Sequence, residues 1–181
     1  MTVQIRPATL ADVDAIATVH VQAWHETYTG LIPQRILDGL SVPKRAEMWA
    51  QQLRAPTFGK NGESLWVCDD AATGIVGFVN SGPNRFTEYA LTGEIQAIYL
   101  LQSHHGRGLG KQLLWRGAAS LKEAGHAGFV VRVLTTNPTA GFYAAQGGTI
   151  LGEYDEVLAG EALPHQVMGF TIPPRASDAG G

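Results

Sequence analysis

Apolar and polar positions alternate from Val3 to Arg6 and stop at Pro7. This predicts a short first strand near a sheet edge, where a residue without an N–H is tolerated. Thr9 and Asp12 then stand at capping-box spacing. From Val13 through Ile16, Ala17, His20, Ala23, Trp24, Thr27 and Tyr28 the pattern takes helical spacing until Gly30. Pro33 to Leu40 and Pro43 to Leu53 read as two further helical pieces, each with proline near its first turn. Leu65 to Cys68 and Ile75 to Asn80 predict an antiparallel hairpin across the turn Asp69 to Gly74. A long strand, Leu91 to Leu101, runs into the glycine-rich stretch His104 to Lys111, and Leu114, Ala118 and Leu121 mark one face of the helix that follows. Phe129 to Leu134 is an almost unbroken β-branched run, as in a strand buried on both faces beside a parallel neighbour. Asn137 and Pro138 open another helix through Gln146, which Gly147-Gly148 ends. Thr149 to Val157 and Gln166 to Ile172 are the last strands, with a loop around Gly160 and Pro164 between them. The sum is a mixed sheet with helices packed on it.

The 181 residues suffice for one domain with a real core, and 45% apolar with 16% charged residues is ordinary globular composition. The domain is expected over residues 1–172, with a disordered tail over 173–181. A net charge of −3 argues against a nucleic-acid binder. The single cysteine, Cys68, excludes an intrachain disulfide and reads as a small buried apolar group. With no apolar leader at the N-terminus and no run of membrane-spanning length, the expectation is a cytoplasmic chain without membrane association. His104 and His105 suggest no metal, because adjacent side chains diverge and no further ligands flank them.

The strand–glycine turn–helix grammar around His104 to Lys111 aims unpaired N–H groups and a helix N-terminus at one spot, which suits a phosphate. A Walker A loop fails, because His105 stands where its first glycine is needed and Gln112 where a hydroxyl residue is needed. A dinucleotide GxGxxG starting at Gly106 would end on Lys111, and no acidic residue closes the next strand, where Thr135 and Thr136 stand.

What remains, His105-Gly106-Arg107-Gly108-Leu109-Gly110, resembles the pyrophosphate loop of the GNAT superfamily of acyl-CoA-dependent N-acetyltransferases, with His105 where the family prefers Arg or Gln. Asn137-Pro138-Thr139-Ala140-Gly141-Phe142-Tyr143-Ala144-Ala145-Gln146-Gly147 resembles the family's second signature, Asn-x-x-Ala-x-x-Phe-Tyr-x-x-x-Gly, in the right order along the chain. Ile5 to Asp12 resembles a common opening of such proteins. The resemblance implies one α/β (α+β) domain. Its sheet would have six to seven mostly antiparallel strands, a central splayed parallel pair and helices on both faces.

The resemblance also implies site roles. Acetyl-CoA would be the donor, its pantetheine arm lying in the splay against backbone groups of Ile98 and Leu100. His105, Gly106, Arg107, Gly108, Leu109 and Gly110 would hold the pyrophosphate, with Arg107 and Lys111 as supplementary cations and Asn137 beside the pantetheine. Tyr143 would protonate the departing thiolate. Glu94 matches a carboxylate base of one branch of the superfamily. By simple alternation it shares a face with Gln96, Ile98 and Leu100, unless a bulge breaks the parity. A water chain is the other candidate base. Trp24 and Tyr28, spaced i, i+4 at the end of the first helix, would wall a site for a cationic amine, although ordinary core packing explains Trp24 as well. The expected activity is direct acetyl transfer to a small primary amine. Acetylation of a protein N-terminus or lysine, or an acyl-CoA sensor without turnover, are the alternatives. Dimers are frequent in proteins of this resemblance.

Overall fold

A computed structural model describes residues 2–173, so the expected tail lies outside the described residues from 174 onward. The elements are β1 (Val3–Pro7), α1 (Val13–Tyr28), α2 (Gln34–Asp38), α3 (Val42–Arg54), β2 (Ser64–Asp70), β3 (Gly74–Pro83) and β4 (Gly93–Leu100). They continue with α4 (Leu109–Glu123), β5 (Gly128–Leu134), α5 (Thr139–Ala145), β6 (Thr149–Leu158) and β7 (Glu161–Thr171). Seven strands form one sheet in the order β1-β2-β3-β4-β5-β7-β6. Every neighbouring pair is antiparallel except β4 with β5, the parallel pair at its centre.

Helices cover both faces. On one side α1 and α3 bury Ile16 and Trp49 against Val67 and Phe78. On the other, α4 buries Leu113, Leu114 and Leu121 against Val79, Ile95 and Phe129, with Tyr143 of α5 in the same cluster. Each such apolar side chain contributes about 1.5–3 kcal/mol of burial. Gly117 lets α4 approach the sheet closely, since a Cβ there would lie 2.7 Å from Ile95 Cδ1.

The caps are as the pattern predicts, with local differences. Thr9 N–H donates to Asp12 Oδ2 (2.8 Å), closing the box, but the box opens a single 3-10 turn, Leu10–Asp12, before α1. The Arg6 guanidinium grips the same carboxylate at 2.8 Å, and that hydrogen bond holds the Asp12 pKa down to about 2. Asn137 is not itself the cap residue of α5. Its Oδ1 accepts the Thr139 N–H (3.0 Å), a side-chain turn that leads into the helix one residue later.

The largest departure is at the C-terminal hairpin. The expected loop around Gly160 and Pro164 shrinks to two residues with positive φ, Ala159 (49°) and Gly160 (80°). Strand β7 therefore starts at Glu161, not Gln166, and includes Pro164. Proline is tolerated because it lies just beyond the last pair with β5, Leu134↔His165, where a β7 N–H has no strand partner on that side. Its carbonyl instead accepts the Thr135 N–H (2.9 Å).

Candidate active site

The site begins with a break in one strand. Along β3–β4, Asn80 faces Ala97 and Ser81 faces Ile95, so Gln96 is an extra residue in β4, a β-bulge. Parallel pairing of β4 with β5 covers Gly93↔Phe129, Glu94↔Val130 and Ile95↔Val131 and stops there. Past the bulge the two strands part.

The opening exposes backbone. Leu101 N–H donates to Val76 O (2.9 Å), making that a hydrogen-bonded pair of the β3–β4 ladder. In an antiparallel ladder alternate residues turn their N–H and C=O outward. Leu100 and Ile98, facing Gly77 and Val79, are those residues, so their backbone groups point into the splay. A cavity of about 520 Å³ lies against them, lined also by the glycine turn, Asn137 and Tyr143.

In the turn, Gly106 and Gly108 have φ of +73° and +75°, and Gly108 caps α4. A side chain at either position would cost about 1–2 kcal/mol of left-handed strain. His105, Gly106, Gly108, Leu109, Gly110 and Lys111 all line the cavity. The Arg107 side chain does not: it leans toward Asp70, with Nη1 4.0 Å from Oδ2. Asp70 also bonds His104 Nε2 (3.2 Å), so this buried carboxylate ties the turn to the end of β2. The His105 side chain donates from Nε2 to the Leu100 carbonyl (2.9 Å), clasping the turn to the strand.

Tyr143 is 8% exposed and lines the same cavity. Burial, then the nearby Tyr28, raises its pKa well above the ordinary phenol value, so it keeps its proton at neutral pH.

A second cavity of about 170 Å³ adjoins the first, and Tyr28, Gln96, Tyr99 and Arg132 line both. Trp24 and Tyr28 are in its wall, their rings 4.9 Å apart edge to face. One cation already sits on Trp24, the Arg45 guanidinium at 5.6 Å from its ring. The remaining polar wall is Glu156 of β6 and His165 of β7. Burial raises the Tyr99 pKa to about 12. His20 lies beneath as core: its Nδ1 accepts from Trp49 Nε1 (3.2 Å), its ring stacks on Tyr99 at 5.1 Å, and burial lowers its pKa to about 3.

Glu94 lines neither cavity. The bulge reverses parity at Gln96, so Ile95, Ile98 and Leu100 pack in the α4-side core, and alternation sets Glu94 on the opposite face. The shared face expected from simple alternation is not found. Glu94 is wholly buried, and its oxygens are taken up by arginines. Oε2 accepts from Arg85 N and Nε (both 3.0 Å), and Oε1 from Arg85 Nη2 (2.7 Å) and Arg132 Nε (3.2 Å). Burial by itself would raise the Glu94 pKa, but the Arg85 hydrogen bonds and both guanidinium charges outweigh it and hold the carboxyl below its ordinary value.

The sequence reading missed Tyr99, Arg132, Glu156 and His165. One signal was available: Arg132 interrupts the apolar run Phe129 to Leu134, and a charge in a buried strand needs a partner or a cavity.

Residues 61–147 match the acetyltransferase (GNAT) domain. An uncharacterized N-acetyltransferase of Bacillus subtilis, YuaI, is 31% identical over 168 residues, spanning 93% of this chain and 92% of its own. This chain belongs to the GNAT family of N-acetyltransferases. Two solved structures share the GNAT fold. A GCN5-related N-acetyltransferase from Rhodopseudomonas palustris has a TM-score of 0.74 at 18% identity, over 95% of this chain and 97% of its own. YncA of Salmonella typhimurium, a putative acetyltransferase solved with acetyl-CoA, has a TM-score of 0.68 at 21% identity, over 97% of both chains. The matched GNAT segment ends before β6 and β7, which carry Glu156 and His165. Among the described residues no group of three or more His, Cys, Asp or Glu could hold a metal ion, and no helix is long and apolar enough to cross a membrane.

Proposed function

We propose that this chain moves an acetyl group from acetyl-CoA to a small primary amine by direct attack in a ternary complex. The observation that carries this reading is the outward-facing backbone in the splay, both groups of Ile98 and the N–H of Leu100, leading from the glycine turn to Tyr143. Acetyl-CoA supplies an activated thioester.

The N–H groups of residues 106–110, with the N-terminus of α4, receive the pyrophosphate, His105 N–H being held by the Gln102 carbonyl (3.1 Å), and Lys111 adds a cation at the rim. Arg107 contributes its backbone N–H, since its side chain turns to Asp70. Ile98 offers both outward backbone groups to the pantetheine amides. Leu100 offers its N–H to the thioester oxygen, its carbonyl being taken by His105. One such donor is worth about 2.7–4 kcal/mol of transition-state stabilisation. Asn137 faces the same arm through its side-chain NH₂, because its oxygen is held by Thr139. Tyr143 donates its proton to the sulfur as the C–S bond breaks.

Glu94 acts by holding Arg85 and Arg132 in place. A carboxylate that already accepts four hydrogen bonds has little room for a proton, and Glu94 lines neither cavity. Cys68 takes no part: it is wholly buried in β2, burial raises its pKa to about 11, and it lines neither cavity. With no other thiol in the chain, transfer is direct.

Thiol release from acetyl-CoA across a panel of spermidine, L-lysine, L-methionine and a peptide with a free N-terminus tests the reading. With the best acceptor, Tyr143→Phe should lower kcat by about 10²–10⁴ and leave CoA affinity unchanged. CoA binding without thiol release on any amine would show a binding protein instead, and an unchanged kcat in Tyr143→Phe would remove the acid.

A further inference from the structure

The amine must shed a proton, and neither Glu94 nor the buried tyrosines beside the cavities can take it. Hydrogen-bonding geometry singles out a pair that can. His165 Nδ1 lies 2.8 Å from the Leu163 carbonyl. A carbonyl only accepts, so Nδ1 carries the proton, and in the neutral ring the lone pair is on Nε2. Nε2 stands 3.4 Å from Glu156 Oε2. Two acceptors thus face each other across a short gap in the wall of the smaller cavity, and an ammonium or a proton is what such a gap holds.

The charged and titratable neighbours come from every side. Tyr154 of β6 packs its ring 5.5 Å from His165, with its hydroxyl 3.5 Å from Glu156 Oε2. Arg132 of β5 is 4.0 Å from Glu156 Oε1 through Nη1 but is already committed to Glu94 through Nε. Tyr99 of β4 and Tyr28 of α1 complete the wall, and both phenols hold their protons because burial raises them. Glu156 is 40% exposed, so the pair reaches water while the His165 side chain is 16% exposed.

We propose that His165 and Glu156 form the proton-accepting pair for the acceptor amine, with Nε2 as the catalytic base. This rests on the acetyltransferase reading above. The bound ammonium gives one proton to Nε2, and Glu156 passes it to water. The freed nitrogen lone pair forms the N–C bond, and the C–S bond breaks with its electron pair going to sulfur. Tyr143 protonates that sulfur, and the second proton lost by the nitrogen makes good the one Tyr143 gave. One acetyl-CoA and one ammonium become one amide, one CoA thiol and one proton.

The test uses His165→Asn, whose side-chain NH₂ can replace Nδ1–H toward Leu163 while nothing replaces Nε2. On the best panel amine its kcat/KM should fall about 10²–10³-fold, lose the acidic limb of the wild-type pH profile and leave CoA affinity unchanged. Added imidazole should restore part of the rate in His165→Ala. A loss uniform across pH, or no imidazole rescue in a folded protein, overturns the proposal. Should the wild type release no thiol on any amine, the enzyme reading falls separately. The pair is then judged by 15N spectra of the histidine rings with CoA and n-butylamine. A neutral Nδ1–H tautomer whose Nε2 signal moves on amine addition supports it. An Nε2–H tautomer, or an unmoved Nε2, overturns it.

Discussion

The two cavities that meet at Tyr28, Gln96, Tyr99 and Arg132 are built from different materials. The larger one is a backbone surface, made of the outward groups of Ile98 and Leu100 and a glycine turn at the head of α4. The smaller one is a side-chain surface, with Trp24, Arg132, Glu156 and His165 brought from α1, β5, β6 and β7. A backbone site needs glycines and a strand break but tolerates many side chains. A side-chain site needs specific residues and a framework that holds charge inside the fold. Substitutions should therefore divide by cavity.

The largest effect is expected at Glu94. Removing it takes away the buried partner of four hydrogen bonds and leaves Nε of Arg132, the less exposed of the two arginines, unpaired, which costs about 1–3 kcal/mol, while the half-exposed Arg85 head falls back on water. Glu94→Ala should lower the thermal midpoint strongly and raise the acceptor KM, and Glu94→Gln should do so less. CoA affinity of the folded fraction, measured by calorimetry, should stay within a few-fold of wild type. An equal loss in both cavities would break the distinction.

A second division is by pH. His20 has its pKa lowered to about 3 by burial and is neutral in the folded state, whereas an unfolded histidine titrates near ~6.5. Its contribution is full above the unfolded value and is lost as pH falls from there toward about 3. By pH ~5 that amounts to about 2 kcal/mol. Because the ring stacks on Tyr99, the acceptor side should loosen first. Hydrogen exchange at pH ~5 against pH ~7 should show β4 beside Tyr99 losing protection before α4 does.

On the donor side, Gly108→Val should weaken CoA binding about tenfold, from left-handed strain of about 1–2 kcal/mol, with the acceptor KM unmoved. Gly110→Ala, two residues on, should change it least. A Cβ there meets Phe142 at 3.7 Å, an ordinary contact, and its φ is not left-handed. Titration of both variants with CoA checks the contrast, and equal losses would mean that the glycines act by something other than their dihedrals.

The same division explains what could be read along the chain. The glycine turn and the Asn137 to Gly147 segment are local, each needing particular residues at fixed spacing, and both lie where the pattern puts them. The helix starts expected at Thr9, Pro43 and Asn137 fall within a residue or two of those observed for the same reason. Glu94 was placed by alternation along one strand, and alternation fails where Gln96 is inserted, because the bulge is defined by the partner strand β3. His165 falls within the span expected as a loop around Gly160 and Pro164, and a proline by itself argues against a strand. Only the end of β5 at Leu134 makes that proline acceptable.

By itself the sequence determined the order of the elements, a mixed sheet with helices packed on it and the glycine turn that opens α4, since periodicity and glycine spacing act over a few residues. The tertiary structure decided which face Glu94 takes, where β4 leaves β5, and that Arg132, Glu156 and His165 share a wall with Trp24. Those facts depend on register between strands distant in the chain, and register is set by pairing energies that no single segment carries.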